Sequence, residues 1–324
     1  MEVTFINVGY GDAILIQKRG FTMLLDGGSA LAEEFEGYPH RIPAAEYLEA
    51  AGIEGIDVLV ISHIHEDHVC GLERILEKIP AKEILLPFSP ELFRKRREVA
   101  PKEGAPKSSF LFARALNAVG QILSKAEDAG SAVRQISAGY ERQLPGDMRL
   151  RVLGPKAEVC GEFEDMLREV YDLEDPTELL TRMDWRSNDT SLLVHLEGDG
   201  IGCLLAADNC PGNWSFSLLK NENVLKLPHH GQKDCFSKEL FSKMPLRAVV
   251  TTASSDRRYN SANQAVYEEL LKLHPRVQLL FTDEREYLPY FSNPEGSQGI
   301  KLVMDSGRIT TEFIKIKTKR RKEA

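Results

Sequence analysis

With 324 residues, 42% hydrophobic and 28% charged, the chain is long enough to bury a large core and has the composition of an ordinary globular protein. A net charge of −8 excludes nucleic-acid binding by bulk charge alone, and no apolar run approaches the ~20 residues of a membrane span. The five cysteines are odd in number and form no CxxC pair, and no basic region followed by a long apolar stretch marks a signal peptide, so a cytoplasmic location is expected.

In chain order, Val3–Val8 and Ala13–Gln17 read as strands flanking Gly9-Tyr10-Gly11-Asp12, a hairpin-type turn. Thr22–Leu25 is a third short strand, ended by Asp26-Gly27-Gly28. Apolar residues at 44, 45, 48 and 51 predict a helix over Pro43–Ala51, and the β-branched run Ile56–Ile61 predicts a buried strand. Val69–Ile79 is expected to be helical and Lys82–Leu86 a strand. Residues 88–130 and 156–187 lack the strand rhythm and are mainly helical in pattern; they read as insertions or a lid over a β core. Strands resume at Arg149–Leu153, Ser191–Leu196, Gly202–Ala206, Val224–Leu227 and Ala248–Thr252, with helices near 237–243 and 262–273. The last strands lie near 277–281, 300–304 and 309–316. This order suggests two β/α halves whose sheets pack face to face with helices outside. A single domain over 1–314 is expected, followed by a basic, disordered tail over 315–324.

The chemistry concentrates in Ser62-His63-Ile64-His65-Glu66-Asp67-His68, directly after the buried strand. Alternate residues just past a strand can point the same way, so His63 and His65 can meet one ion, while Asp67 and His68 open a helix and can turn to a second. Imidazole and carboxylate together suit zinc, manganese, iron or cobalt. Two more apolar strands end in ligand-type residues: Leu204-Leu205-Ala206-Ala207-Asp208 and Leu225-Lys226-Leu227-Pro228-His229-His230. His195 lies mid-strand and reads as structural; His40 and His274 read as surface residues. Arg94-Lys95-Arg96-Arg97 and the six basic residues from Lys315 to Lys322 are candidate phosphate contacts or simply solvated segments.

These residues resemble the metallo-β-lactamase superfamily. His63–His68 is similar to its HxHxDH signature, Asp26 to its first motif, Asp208 to its bridging aspartate and His229 to its last metal histidine. Within the superfamily the chain most resembles the competence-associated ComEC/Rec2-related group. Phe5-Ile6-Asn7-Val8-Gly9-Tyr10-Gly11-Asp12 resembles that group's VGQGD opening, Asn188-Asp189-Thr190-Ser191-Leu192 its NxxSL strand, and Leu227-Pro228-His229-His230-Gly231 its PHHGS motif. Asn7, Tyr10 and Gln232 depart from the pattern. So does the lack of a third-motif histidine between the HxHxDH run and Asp208.

The resemblance implies an α/β fold, the αββα four-layer sandwich with helical insertions, and a free-standing form without membrane segments. It implies two divalent metal ions, Zn2+ or Mn2+. One would be held by His63, His65 and Asp208, with Asn188 or Asp189 filling the gap; the other by Asp67, His68, Asp208 and His229. Asp26 would stand behind the histidines and fix them. Two such ions lower the pKa of a shared water from ~15.7 toward ~7. Asp67 would orient that nucleophile and His230 would protonate a leaving group or contact a phosphate. The reading favoured is a phosphodiesterase or nuclease acting on nucleic acid or a nucleotide. A hydrolase of a small ester, lactone, thioester or phosphocholine compound, and a partner-regulated effector with a silent site, are the alternatives. Neither a protein partner nor a homo-oligomer can be read from the residues.

Overall fold

The computed structural model describes residues 1–214, 219, 221–256, 258–283, 290–291 and 297–316. The chain opens as an antiparallel meander of β1 (Glu2–Ile6), β2 (Ile14–Lys18) and β3 (Phe21–Leu25). Helix α1 (Ala44–Ala50) leads to β4 (Val58–Val60); α2 (Glu66–Val69) and α3 (Gly71–Leu76) lead to β5 (Glu83–Leu86); the long α4 (Lys107–Asp128) leads to β6 (Ala132–Gln135). These later strands join in parallel, each after a helical crossover.

A second sheet follows: β7 (Glu141–Leu144), β8 (Met148–Gly154), helices α5 (Ala157–Val170) and α6 (Thr177–Ser187), then β9 (Leu193–Gly198), β10 (Ile201–Leu205) and β11 (Glu222–Lys226). Helix α7 (Lys238–Phe241), β12 (Ala248–Thr251), α8 (Gln264–Leu273) and β13 (Gln278–Phe281) complete it. β14 (Gly299–Asp305) and β15 (Arg308–Ile314) return to the first sheet beside β1. The two sheets run β15-β14-β1-β2-β3-β4-β5-β6 and β13-β12-β11-β10-β9-β8-β7.

The period of two along each strand builds three apolar layers. In β3 and β4, Met23, Leu25, Val58 and Val60 face the second sheet, while Leu24 and Leu59 face the helices. In β10 and β12, Cys203, Leu205 and Val250 meet the first sheet, and Leu204 and Val249 meet α7 and α8. The result is helix–sheet–sheet–helix, a four-layer α/β sandwich. Helices of the stretches 88–130 and 156–187 take part in its outer layer. Phe112, Leu116 and Val119 of α4, Phe163 and Leu167 of α5, and Leu180 and Met183 of α6 belong to the same apolar cluster as Leu24 and Leu59. The expected strands and helices are present; β6 and β7 were not expected. Of the basic tail, residues 317–324 lie outside the described residues. Among the described residues no helix is long and apolar enough to cross a membrane.

Candidate metal centre

The carboxyl ends of β4, β10 and β11 meet at one rim. The segment after β4 carries His63 and His65, and the first turn of α2 carries Asp67 and His68. Asp208 follows β10, and His229 and His230 follow β11. A glycine turn lets the first hairpin close over them. Gly11 has φ +134, and a Cβ there would lie 2.1 Å from the Asp67 carbonyl oxygen, so only glycine fits beneath the α2 turn.

Two ligand-type groups converge. His63, His65 and Asp208 form one; Asp67, His68, Asp208 and His230 form the other, with Asp208 common to both. In each histidine one ring nitrogen is held by the protein and the other faces inward. Nδ1 of His63 donates to Ser62 Oγ at 2.9 Å, and Ser62 Oγ donates to Asp26 at 2.6 Å. Nε2 of His65 donates to the Asp184 carbonyl at 3.1 Å. Nδ1 of His68 donates to Asp26 at 2.9 Å, and Nδ1 of His230 to the Thr252 carbonyl at 2.7 Å. The inward nitrogens then confront one another: His63 Nε2 and His65 Nδ1 at 3.0 Å, His68 Nε2 and His230 Nε2 at 3.4 Å. Lone pairs aimed at each other across such gaps, with Oδ1 of Asp208 buried and lacking a hydrogen-bond partner, fit divalent cations.

Electrostatics point the same way. Burial, with His68 and His65 beside it, holds the His63 imidazole well below its ordinary range. Burial works against the Asp208 carboxylate, but His230 and His68 outweigh it and keep it ionised. Despite burial, Asp208 and Asp67 push His68 and His230 upward, His230 to about 9, so a proton and a cation compete for the same Nε2 atoms. A fully buried lysine, Lys226, sits below. Its Nζ forms an ion pair with Asp12 Oδ2 at 2.6 Å, donates to the Ala207 carbonyl at 2.7 Å, and lies 3.8 Å from Asp208.

Several expected roles are redistributed. His229, read as the last ligand, is not in the group around Asp67; His230, read as a proton donor, is. His229 and His230 both have positive φ, +48 and +53, and their rings meet different partners. His229 faces Cys210 and Asp234 instead. Of the two residues read as filling the third-motif gap, Asn188 lines the cleft with its buried Oδ1 unpartnered, while Asp189 turns to Arg186 and Asn213. His195 is buried on β9 between Arg151 and Glu222, away from the centre. In the basic run, Arg94 pairs with Glu91 and Glu127, and Arg97 holds the carbonyls of Tyr171 and Leu173, so neither guanidinium is unpaired.

The centre opens into a cleft of about 470 Å³. Buried Tyr10 lines it, and it also carries residues the sequence did not flag: Asp184, Trp185 and Tyr259. Trp185 is 75% exposed and Tyr259 66%, the two most exposed large hydrophobic residues described. The signals available were weak, since a lone aromatic in a helix or loop says nothing about what it overlooks.

A family model for the metallo-beta-lactamase superfamily matches residues 6–108. "ComE operon protein 3" of Bacillus subtilis is 24% identical over 325 residues; that similarity covers 95% of this chain but 35% of the relative's length. "Endoribonuclease ysh-1" of Neurospora crassa is 33% identical over 82 residues, 24% of this chain and 9% of the relative. This chain thus spans only a minor part of either relative. Among solved structures, the metallo-beta-lactamase fold protein YhfI from Bacillus subtilis has a TM-score of 0.46 at 11% identity, covering 87% of this chain and 97% of that one. A diphosphatase from the PhnP family has a TM-score of 0.39 at 11% identity, covering 93% and 97%.

Proposed function

The chain carries a metallo-β-lactamase superfamily domain, and from that premise we propose that it is a metal-dependent phosphodiesterase acting on nucleic acid or a nucleotide. The observation that carries the reading is the pair of ligand groups sharing one hard oxygen donor, Asp208, at the floor of an open cleft. His63, His65 and Asp208 would hold one divalent cation; Asp67, His68, Asp208 and His230 the other. When bound, such ions polarise a phosphoryl oxygen and lower the pKa of water. Carboxylate and imidazole donors suit zinc and manganese alike.

The chain's own residues do the rest. Asp26 and Thr252 fix the ring orientation of His68 and His230. Burial first, then Asp67 and Asp208, hold the Tyr10 phenol well above its ordinary range, so it stays protonated. Its oxygen accepts from Gln232 at 3.3 Å, leaving its own proton free to donate to a phosphoryl or leaving-group oxygen. At the mouth, the exposed faces of Trp185 and Tyr259 suit base stacking. The similarity to a protein named as an endoribonuclease supports the same substrate class.

The test is hydrolysis of bis-(p-nitrophenyl) phosphate, single-stranded DNA and RNA with Mn2+ or Zn2+, beside a panel of lactones and thioesters. Metal-dependent phosphodiester cleavage, abolished by Asp208→Ala, is expected. Intact phosphodiesters with turnover of the ester panel would overturn the reading.

A further inference from the structure

Outside the two principal groups, a third set of ligand-type side chains meets at the rim of the cleft. Cys210, His229 and Asp234 bring one Sγ, one Nδ1 and one carboxylate oxygen within 4.8 Å of one another. None of them belongs to the groups around Asp208. We propose that they form a separate binding site for a single thiophilic divalent cation of the zinc class.

The geometry is that of an open coordination face. Nδ1 of His229 lies 4.0 Å from Sγ of Cys210 and 3.0 Å from Oδ2 of Asp234. Ligands at ordinary zinc bond lengths around a tetrahedron are about 3.3 to 3.6 Å apart, so movements of a few tenths of an ångström seat the ion. The other ring nitrogen is held as in metal-bound histidines. Nε2 meets the side-chain amides of Gln232 at 2.9 Å and Asn188 at 3.2 Å, and the Asn188 amide, whose Oδ1 is otherwise unpartnered, can turn that oxygen to accept the Nε2 proton. That leaves the Nδ1 lone pair directed at the thiol and the carboxylate. His229 has a left-handed backbone, while His230 Nε2 lies by Asp67 and Asp208.

Donor chemistry separates this site from its neighbours. The principal groups hold only nitrogen and oxygen, whereas this one adds sulfur, which selects zinc-like ions over magnesium, calcium or manganese. The other four cysteines are buried. Asp234 is 55% exposed and His229 20%, so an ion can enter from solvent and leave its fourth position to water. His229 also lines the cleft, so the ion would stand at its wall.

Cobalt titration of the metal-free full chain tests this directly, because a cysteine thiolate bound to Co2+ gives a near-ultraviolet charge-transfer band that nitrogen and oxygen ligands do not. The band is expected in the wild type, absent in Cys210→Ser, and retained in Asp67→Ala, which disables a principal group. Asp234→Asn, a surface change, should lower the affinity read from the band at least about tenfold. No band in the wild type, a band surviving Cys210→Ser, or an affinity unmoved by Asp234→Asn would overturn the site. A protein with this band but no other bound cobalt would overturn the principal metal centre and leave this site standing.

Discussion

His229 and His230 are neighbours in sequence with opposite surroundings. His230 Nε2 lies 3.1 Å from Asp67 and 3.4 Å from Asp208, in a fully buried position, while His229 is partly exposed beside Asp234. His230→Ala should therefore lower metal affinity at the principal centre more than about 100-fold and abolish phosphodiester hydrolysis. His229→Ala should leave the principal centre's metal affinity within a few-fold of wild type. Metal titration and steady-state rates on the two variants check both, and equal losses would contradict the division. A second histidine makes a prediction about pH. Burial and the neighbouring Arg151 and Arg149 push His195 down to about 4, despite Glu222 at 3.7 Å. The unfolded chain takes up this proton near 6.5 and the folded chain only near 4, so the contribution is present above pH 6.5 and is lost as pH falls toward 4. It amounts to about 3 kcal/mol over that window. His195→Gln should show a shallower fall in unfolding free energy between pH 6.5 and 4, measured by urea denaturation. Parallel curves would mean that His195 titrates alike in both states.

At the scale of the element, the glycine turn between β1 and β2 links backbone conformation to the site. Gly11 must approach the Asp67 carbonyl, and Asp12 N donates to that same oxygen at 3.2 Å. Gly11→Ala would push α2 outward and with it Asp67 and His68. The expected outcome is a loss of more than about 2 kcal/mol in stability together with weakened metal binding, read by denaturation and by Mn2+ titration. A variant with normal stability and normal metal binding would show that α2 can shift without cost. Elements differ in how plainly they announce themselves. The buried strands were legible because β4 and β10 are unbroken apolar runs, and ligand residues follow them directly. β6 and β7, Ala-Val-Arg-Gln and Glu-Arg-Gln-Leu, were not, since they close the ends of their sheets and carry mostly exposed polar residues. Which sheet α4 and α5 cover was not legible, because a helix pattern alone does not reveal the sheet it packs on. The division of His229 from His230 was illegible for a different reason. It depends on two consecutive left-handed residues, and nothing in Pro-His-His-Gly specifies them in advance.

On the scale of the whole molecule, the centre joins the two halves. His63, His65, Asp67 and His68 follow a strand of the first sheet; Asp208 and His230 follow strands of the second. Both ligand groups cross that boundary through Asp208. The sheets already share an apolar layer, with Phe5, Ile14 and Val60 against Leu205, Val224 and Val250, so the fold does not depend on an ion to hold the sheets together. Ions held there would bind only where the two rims are held together, and would thereby stabilise the native state by mass action, by about 2.7 kcal/mol at ~100 times the Kd for one site. Removing metal with a chelator should lower the melting temperature by several degrees without changing the secondary-structure content, and adding Zn2+ or Mn2+ back should restore it. Asp208→Asn weakens both groups at once, so its melting temperature should no longer respond to added Mn2+, an ion that the sulfur-containing site at Cys210 disfavours. A variant centred on one group alone, such as His65→Ala, should keep part of the response. If Asp208→Asn still gained the full wild-type stabilisation from added Mn2+, the ions would be binding elsewhere on the surface, and the shared aspartate would not be what ties the two sheets to them.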